Sequence, residues 1–91
     1  MNGATRLAML RNDLQMLTTS QDDYLLQLIE MADGLIKKEG IVLTEGDIES
    51  DGLVAMYAAY LFRKRAGSET AMPRHLRYAM NITLFSQKAG G

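Results

Sequence analysis

The side chains that could carry covalent or metal chemistry are few and scattered. His75 is the single histidine and the chain has no cysteine, so no second strong ligand is at hand to complete a metal site. Ser20, Ser50, Ser68 and Ser86 lack a local histidine that could act as base toward a nucleophile. The glycines fall singly except at the tail, and none forms a phosphate-cradling loop. Asp47, Glu49 and Asp51 alternate along an acidic stretch that could attract a cation only weakly and is more simply a solvated loop. No catalytic residue, metal site or cofactor is expected, and the chain is not read as an enzyme.

What remains is the chemistry of surfaces. Arg63, Lys64, Arg65, Arg74 and Arg77 sit on either side of a short turn between two apolar runs, an arrangement open to reading as a small helix-turn-helix-like DNA-binding regulator. Against it, the helix that would read the groove is mainly apolar, and the formal net charge is −1, so non-specific attraction for DNA should be weak. The charges are nevertheless segregated. Residues 1–52 carry four bases against ten acids, a net of −6, and residues 53–91 carry six bases against one acid, a net of +5. Chance in a small domain would explain this; so would a subunit whose acidic face meets the basic face of the next copy.

The elements that must position these groups read as helices. With 91 residues, 47% of them hydrophobic, the chain is expected to form one all-α domain over 1–91 with a modest core. The run Leu53 to Phe62, LVAMYAAYLF, has no charge and no polar side on a helical wheel. It is too short for a membrane span, which needs roughly 20 apolar residues, so it should be the buried centre of a bundle of about four helices, spanning about 50–66. Ala55, Ala58 and Ala59 would let a neighbour approach closely.

Leu7, Leu10, Leu14 and Leu17 recur at three- and four-residue steps and predict a first helix over about 4–16. Ser20 and Asp23 resemble a capping box opening a second helix over about 20–39, with Asp22 and Asp23 at the positive end of its dipole. That helix lays Tyr24, Leu25, Leu28, Ile29, Ala32, Leu35 and Ile36 on one side, and Gly40 is placed to terminate it in the left-handed conformation. Gly34, costly inside a helix, is expected to mark a tight crossing with the central helix. Ile41, Val42 and Leu43 read as a buried connector, followed by a loop over residues 44–52. Either Asp47 or Ser50 can cap the central helix. Core positions are then Leu25, Leu28, Ile29, Leu53, Tyr57, Tyr60 and Leu61.

After Gly67 and a short loop, Pro73 suits the first turn of a last helix over about 73–87. Leu76, Tyr78, Ala79, Met80, Ile82, Thr83, Leu84 and Phe85 cover roughly two thirds of its circumference, leaving a strip with Arg74, Arg77, Asn81 and Lys88. One neighbour cannot bury so much apolar surface, so part of this helix should meet another chain. Arg6 and Arg11 interrupt the only apolar stretch near the start, which argues against a signal peptide and for a soluble cytoplasmic product.

Two segments carry a family resemblance: LAMLRNDLQMLTTSQDDYLLQLIEMADGLIKKEGI, and LVAMYAAYLFRKR followed by MPRHLRYAMNITLFSQK. In order and pattern, from about Leu7 to Lys88, the chain resembles the small all-helical head-tail connector (adaptor or head-completion) proteins of tailed bacteriophages of the siphophage type. It departs from many of them in having only residues 67–72 where relatives carry a longer contact segment. The resemblance implies a non-catalytic neck subunit, made in the host bacterial cytoplasm and carried in the virion at the head-tail junction. It further implies a homo-oligomeric ring of about a dozen copies, monomeric in solution before assembly, that binds the portal protein and a downstream neck or tail-completion protein. Genomic DNA would pass through its channel without sequence-specific binding, and no membrane is involved. On that reading Arg63, Lys64, Arg65, Arg74, Arg77, Tyr78, Ile82, Phe85 and Lys88 are candidates for portal or subunit contact. Asp47, Glu49 and Asp51 are candidates for an acidic face turned to the channel or to a neighbour.

Overall fold

The computed structural model of the chain describes residues 2–16, 18–44, 46–67 and 71–90, without the side chains of Asn2, Gly3 and Gly90. Leu17 of the first apolar stripe, and Ser68 of the last loop, therefore lie outside the described residues. Among the described residues four helices follow one another: α1 Asn2–Asp13, α2 Asp22–Lys38, α3 Ile48–Arg65 and α4 Arg74–Gly90. Among the described residues there is no strand, and no helix is long and apolar enough to cross a membrane. The fold is all-α, as the periodicity predicts.

The central helix has no wet side. From Ser50 to Arg63 no residue of α3 is exposed, and α3 touches each of the other three helices. Its small faces let this happen: Ala58 and Ala59 are fully buried, as is Ala32 of α2, so backbones can approach where larger side chains would hold them apart. α1, α2 and α3 pack mutually, whereas α4 takes α3 as its main neighbour. The resulting body measures 41 × 31 × 18 Å, so its thin direction holds barely two helix diameters. Of the expected core residues Leu25, Leu28, Ile29, Leu53, Tyr57 and Tyr60 are buried, and Leu61 is partly buried against them. α4 completes the core with Leu76 and Met80.

Helix ends follow local chemistry, with some departures from expectation. α1 stops at Asp13, three residues before the predicted end, because Gln15 adopts φ 58°. The Met16 N–H reaches the Arg11 carbonyl at 2.8 Å and the Gln15 N–H reaches that of Asn12 at 3.1 Å, the paired bonds of a Schellman ending. The expected capping box at α2 does not form: Gln21 is the cap residue without a side-chain bond, and Ser20 Oγ pairs instead with Thr18 Oγ1. Asp22 and Asp23 do occupy the first turn. Gly40 and Gly67 take positive φ, as their places after α2 and α3 require.

Gly34 makes no tight crossing. A side chain there would meet nothing within 4 Å, since this glycine lies on the exposed side of α2. The connector is buried only in part, with Ile41 inside and Val42 turned outward. α3 begins at Ile48, two residues before the expected start of about residue 50, so Ile48 and Glu49 also belong to the helix. Of the two cap candidates Asp47 is the one used: its carboxylate accepts the Ser50 N–H at 3.0 Å, while Ser50 Oγ accepts the Thr44 N–H at 3.0 Å and ties the preceding segment to the helix. Pro73 sits one residue outside α4, where its carbonyl accepts the N–H groups of Leu76 and Arg77.

Candidate functional site

Three groups of functional side chains were anticipated, and the fold treats them differently. The acidic group is divided. Asp47 is spent on the α3 cap, Glu49 is exposed beside it, and Asp51 is only 2% exposed. Asp51 thus belongs to no outward acidic face. Its Oδ1 accepts a 2.8 Å hydrogen bond from Arg6 Nε, while Arg6 Nη1 donates at 2.9 Å to Asp33 Oδ2 and Lys37 Nζ lies 2.8 Å from Asp33 Oδ1. This chain of charges ties α1, α2 and α3 together. Burial alone would raise the Asp33 pKa, but hydrogen bonds from Lys37 and Arg6 outweigh it and hold the carboxyl below its usual value. For Arg6, burial would lower the pKa, and the two carboxylates more than reverse that.

The basic group is also divided. Arg63 donates to the Asp13 carbonyl at 3.2 Å, with the Asp13 carboxylate 3.8 Å away. Lys64 Nζ lies 5.8 Å from the centre of the Tyr60 ring, and the Arg65 guanidinium 5.9 Å from that of Tyr24, distances suited to cation–π attraction. Arg77, by contrast, pairs with Glu39 at 3.1 Å. Tyr24 and Glu39 are at opposite ends of α2, fifteen residues or about 22 Å apart. The bases therefore do not form the continuous patch that a helix-turn-helix contact with DNA would use. Lys64 and Arg65 border a separate hollow of about 330 Å³ with Leu28, Met31 and Leu61.

The third group does come together. Leu76 and Met80 turn α4 onto the core, and this leaves Tyr78, Ile82 and Phe85 pointing away from it, 66%, 49% and 76% exposed. At spacings of four and three they form one stripe along α4. Beside the stripe runs a groove of about 530 Å³ whose α3 wall is Ile48, Gly52, Leu53 and Met56. Gly52 contributes no side chain, which keeps the groove open, and Ile48 extends the apolar surface at 73% exposure. A second hollow of about 220 Å³ continues it past Glu49 toward Asp47 and Gln87. On the far side of the stripe, Arg74, Asn81 and Lys88 recur every seven residues, and neither Arg74 nor Lys88 has an ion pair among the described residues.

α4 is held by three contacts from the connector after α2. Arg77 meets Glu39, Leu84 Cδ1 lies over Gly40, and the Gln87 amide both donates to the Val42 carbonyl and accepts its N–H, each at 2.8 Å. Tyr57 sits close by, its pKa raised by burial first and then by Glu39. His75 is exposed on α4, and no cluster of three or more potential metal-ligating side chains occurs among the described residues. The arrangement has the features of a docking surface: an apolar floor, an aromatic rim and unneutralised charge along one edge. Ile48 and Gly52 were not anticipated as part of it: the sequence leaves the cap open between Asp47 and Ser50, with the helix expected only from about residue 50. The Asp47-x-x-Ser50 spacing was the available signal that the helix starts earlier.

No protein-family model, curated protein or solved structure matches the chain.

Proposed function

We propose that this protein is a non-catalytic structural subunit of a tailed-phage neck, which docks through α4 to the portal vertex and helps join the DNA-filled head to the tail. The resemblance of its two long segments to the small connector proteins supplies the role. The observation that carries it is the unpartnered stripe Tyr78, Ile82 and Phe85 beside an open apolar groove, because a domain of this size exposes such a contiguous patch where another protein covers it. Assembly into a ring, contact with a tail-side protein and a place in the virion belong to the same proposal. The segregated charge of the sequence supports the ring, since a ring needs two different patches that meet.

The test replaces Tyr78, Ile82 and Phe85 together with serine and leaves Leu76 and Met80 in place, so that the core is kept. In phage encoding the chain, the wild-type protein should be found in DNA-filled heads at the portal vertex. The triple variant should keep its helical circular dichroism yet be missing from those particles, which should lack tails. Normal tailed particles built with the triple variant, or particles in which the wild-type chain is absent, would overturn the proposal.

A further inference from the structure

The docking face is polar in one direction across its width, and this bears on the chemistry of what it holds. On the α4 wheel the basic strip Arg74, Asn81 and Lys88 lies about 45–90° to one side of the centre of the stripe, and the groove that leads to Glu49 and Asp47 lies to the other. We infer that the stripe takes an amphipathic helix of a different protein, which lies over Tyr78, Ile82 and Phe85 with large apolar residues at helical spacing, one flank over the groove and the other, bearing carboxylates, facing Arg74 and Lys88. This rests on the reading of the α4 face as a docking surface and names the chemistry of its partner.

The length fits a helix. Arg74 and Lys88 are fourteen residues apart, about 21 Å along the axis, which is four turns of a bound helix with acids near both ends. The stripe between them offers three anchors, as helix-in-groove recognition requires. A second copy of the chain is a poorer occupant. An antiparallel two-fold pairing that sets Tyr78 of each copy against Phe85 of the other also sets Arg74 of each against Lys88 of the other, placing like charges together at both ends. An anionic bilayer is poorer too, because a flat surface leaves the 530 Å³ groove unfilled and brings Glu49 toward like charge.

The experiment uses the full chain and two helix-stapled peptides, each about five turns long, with leucines at i, i+4, i+7 and i+11. One carries glutamates on the flank and the other lysines at the same positions. The glutamate peptide should bind the wild-type protein at low salt at least tenfold more tightly than the lysine peptide, and raising the salt should shrink that ratio. R74E combined with K88E should reverse the preference, and Ile82→Asp should abolish binding of both peptides while the helical signal is retained. Equal affinity for the two peptides, or no binding of either, would overturn the inference. So would a dimer in sedimentation that Ile82→Asp dissociates, or binding to vesicles of mixed anionic and zwitterionic lipid that needs Ile82 while neither peptide binds. If the serine triple variant is lost from particles but the peptides are not told apart by charge, the docking role stands and the acidic partner falls.

Discussion

Removing the Asp51 carboxylate should be among the most destabilising single changes available to this protein. Arg6 and Asp51 are 7% and 2% exposed, and their bond of 2.8 Å closes α1 onto the first turn of α3. Asp51→Ala leaves the guanidinium buried, and Arg6 cannot escape by losing its proton, since a guanidinium stays protonated in proteins. Breaking one side of a buried pair costs about 3–5 kcal/mol. Arg6 keeps Asp33 at 2.9 Å, so the lower end applies, about 3 kcal/mol. For a domain of this length, with total stability of about 5–14 kcal/mol, that lowers Tm by roughly 12–24 °C. The pair need not be the best solution in energy. Arg6→Met combined with Asp51→Leu should recover most of the loss, because Asp33 retains Lys37 at 2.8 Å. Urea denaturation followed by circular dichroism on the wild type, both single variants and the double variant gives the coupling energy, expected to be at least about 1.5 kcal/mol. A fall of under about 4 °C for Asp51→Ala, or a double variant no more stable than the weaker single, would refute a buried ion pair.

Three further outcomes are expected. Asp33 has a folded pKa below its unfolded one, so its contribution to stability is complete above the unfolded value of 3.8 and is lost as pH falls through the folded value; Asp33→Asn should be less stable at neutral pH and show a flatter decline below about pH 4 in acid titrations. Gln15→Gly should raise stability by roughly 0.5–1 kcal/mol in urea melts, because glycine relieves the left-handed strain at the end of α1. Duplex DNA titrated at low salt should bind no more tightly than about 10⁻⁴ M, and a micromolar site lost on changing Arg74 and Arg77 to alanine would instead favour the regulator reading.

The central helix was legible in the sequence because a run without any polar side leaves only one place to put it. The stripe on α4 was legible for a related reason: its wheel carries more apolar residues than one neighbour can cover, and Leu76 with Met80 could claim only part of them. Asp51 was misread because a carboxylate in a stretch of acids and glycines looks solvated, and the residue that buries it, Arg6, is 45 positions away. No local pattern reports a pair at that distance. Ser20 offered a box that Gln21 displaced, and Gly34 hinted at a close approach that the exposed side of α2 does not make. The groove was hidden because the choice between Asp47 and Ser50 as cap stayed open, and starting α3 after Asp47 is what places Ile48, Gly52 and Met56 along one wall.

The connector from Glu39 to Val42 braces α4 from outside the helix packing. α4 rests on it at three points over about three turns, through an ion pair at Arg77, an apolar contact at Leu84 and the paired amide bonds of Gln87. One end of this segment is the cap of α2, and the other runs on to Thr44, whose N–H is bonded by Ser50 Oγ in the first turn of α3. A helix pushed into the groove bears on α4, and any tilt it forces must be taken up by four residues of backbone that are anchored at both ends. The connector therefore acts as a short, stiff spring in parallel with the α3–α4 packing, and a load applied at the docking face reaches the first turn of the central helix without passing through its middle.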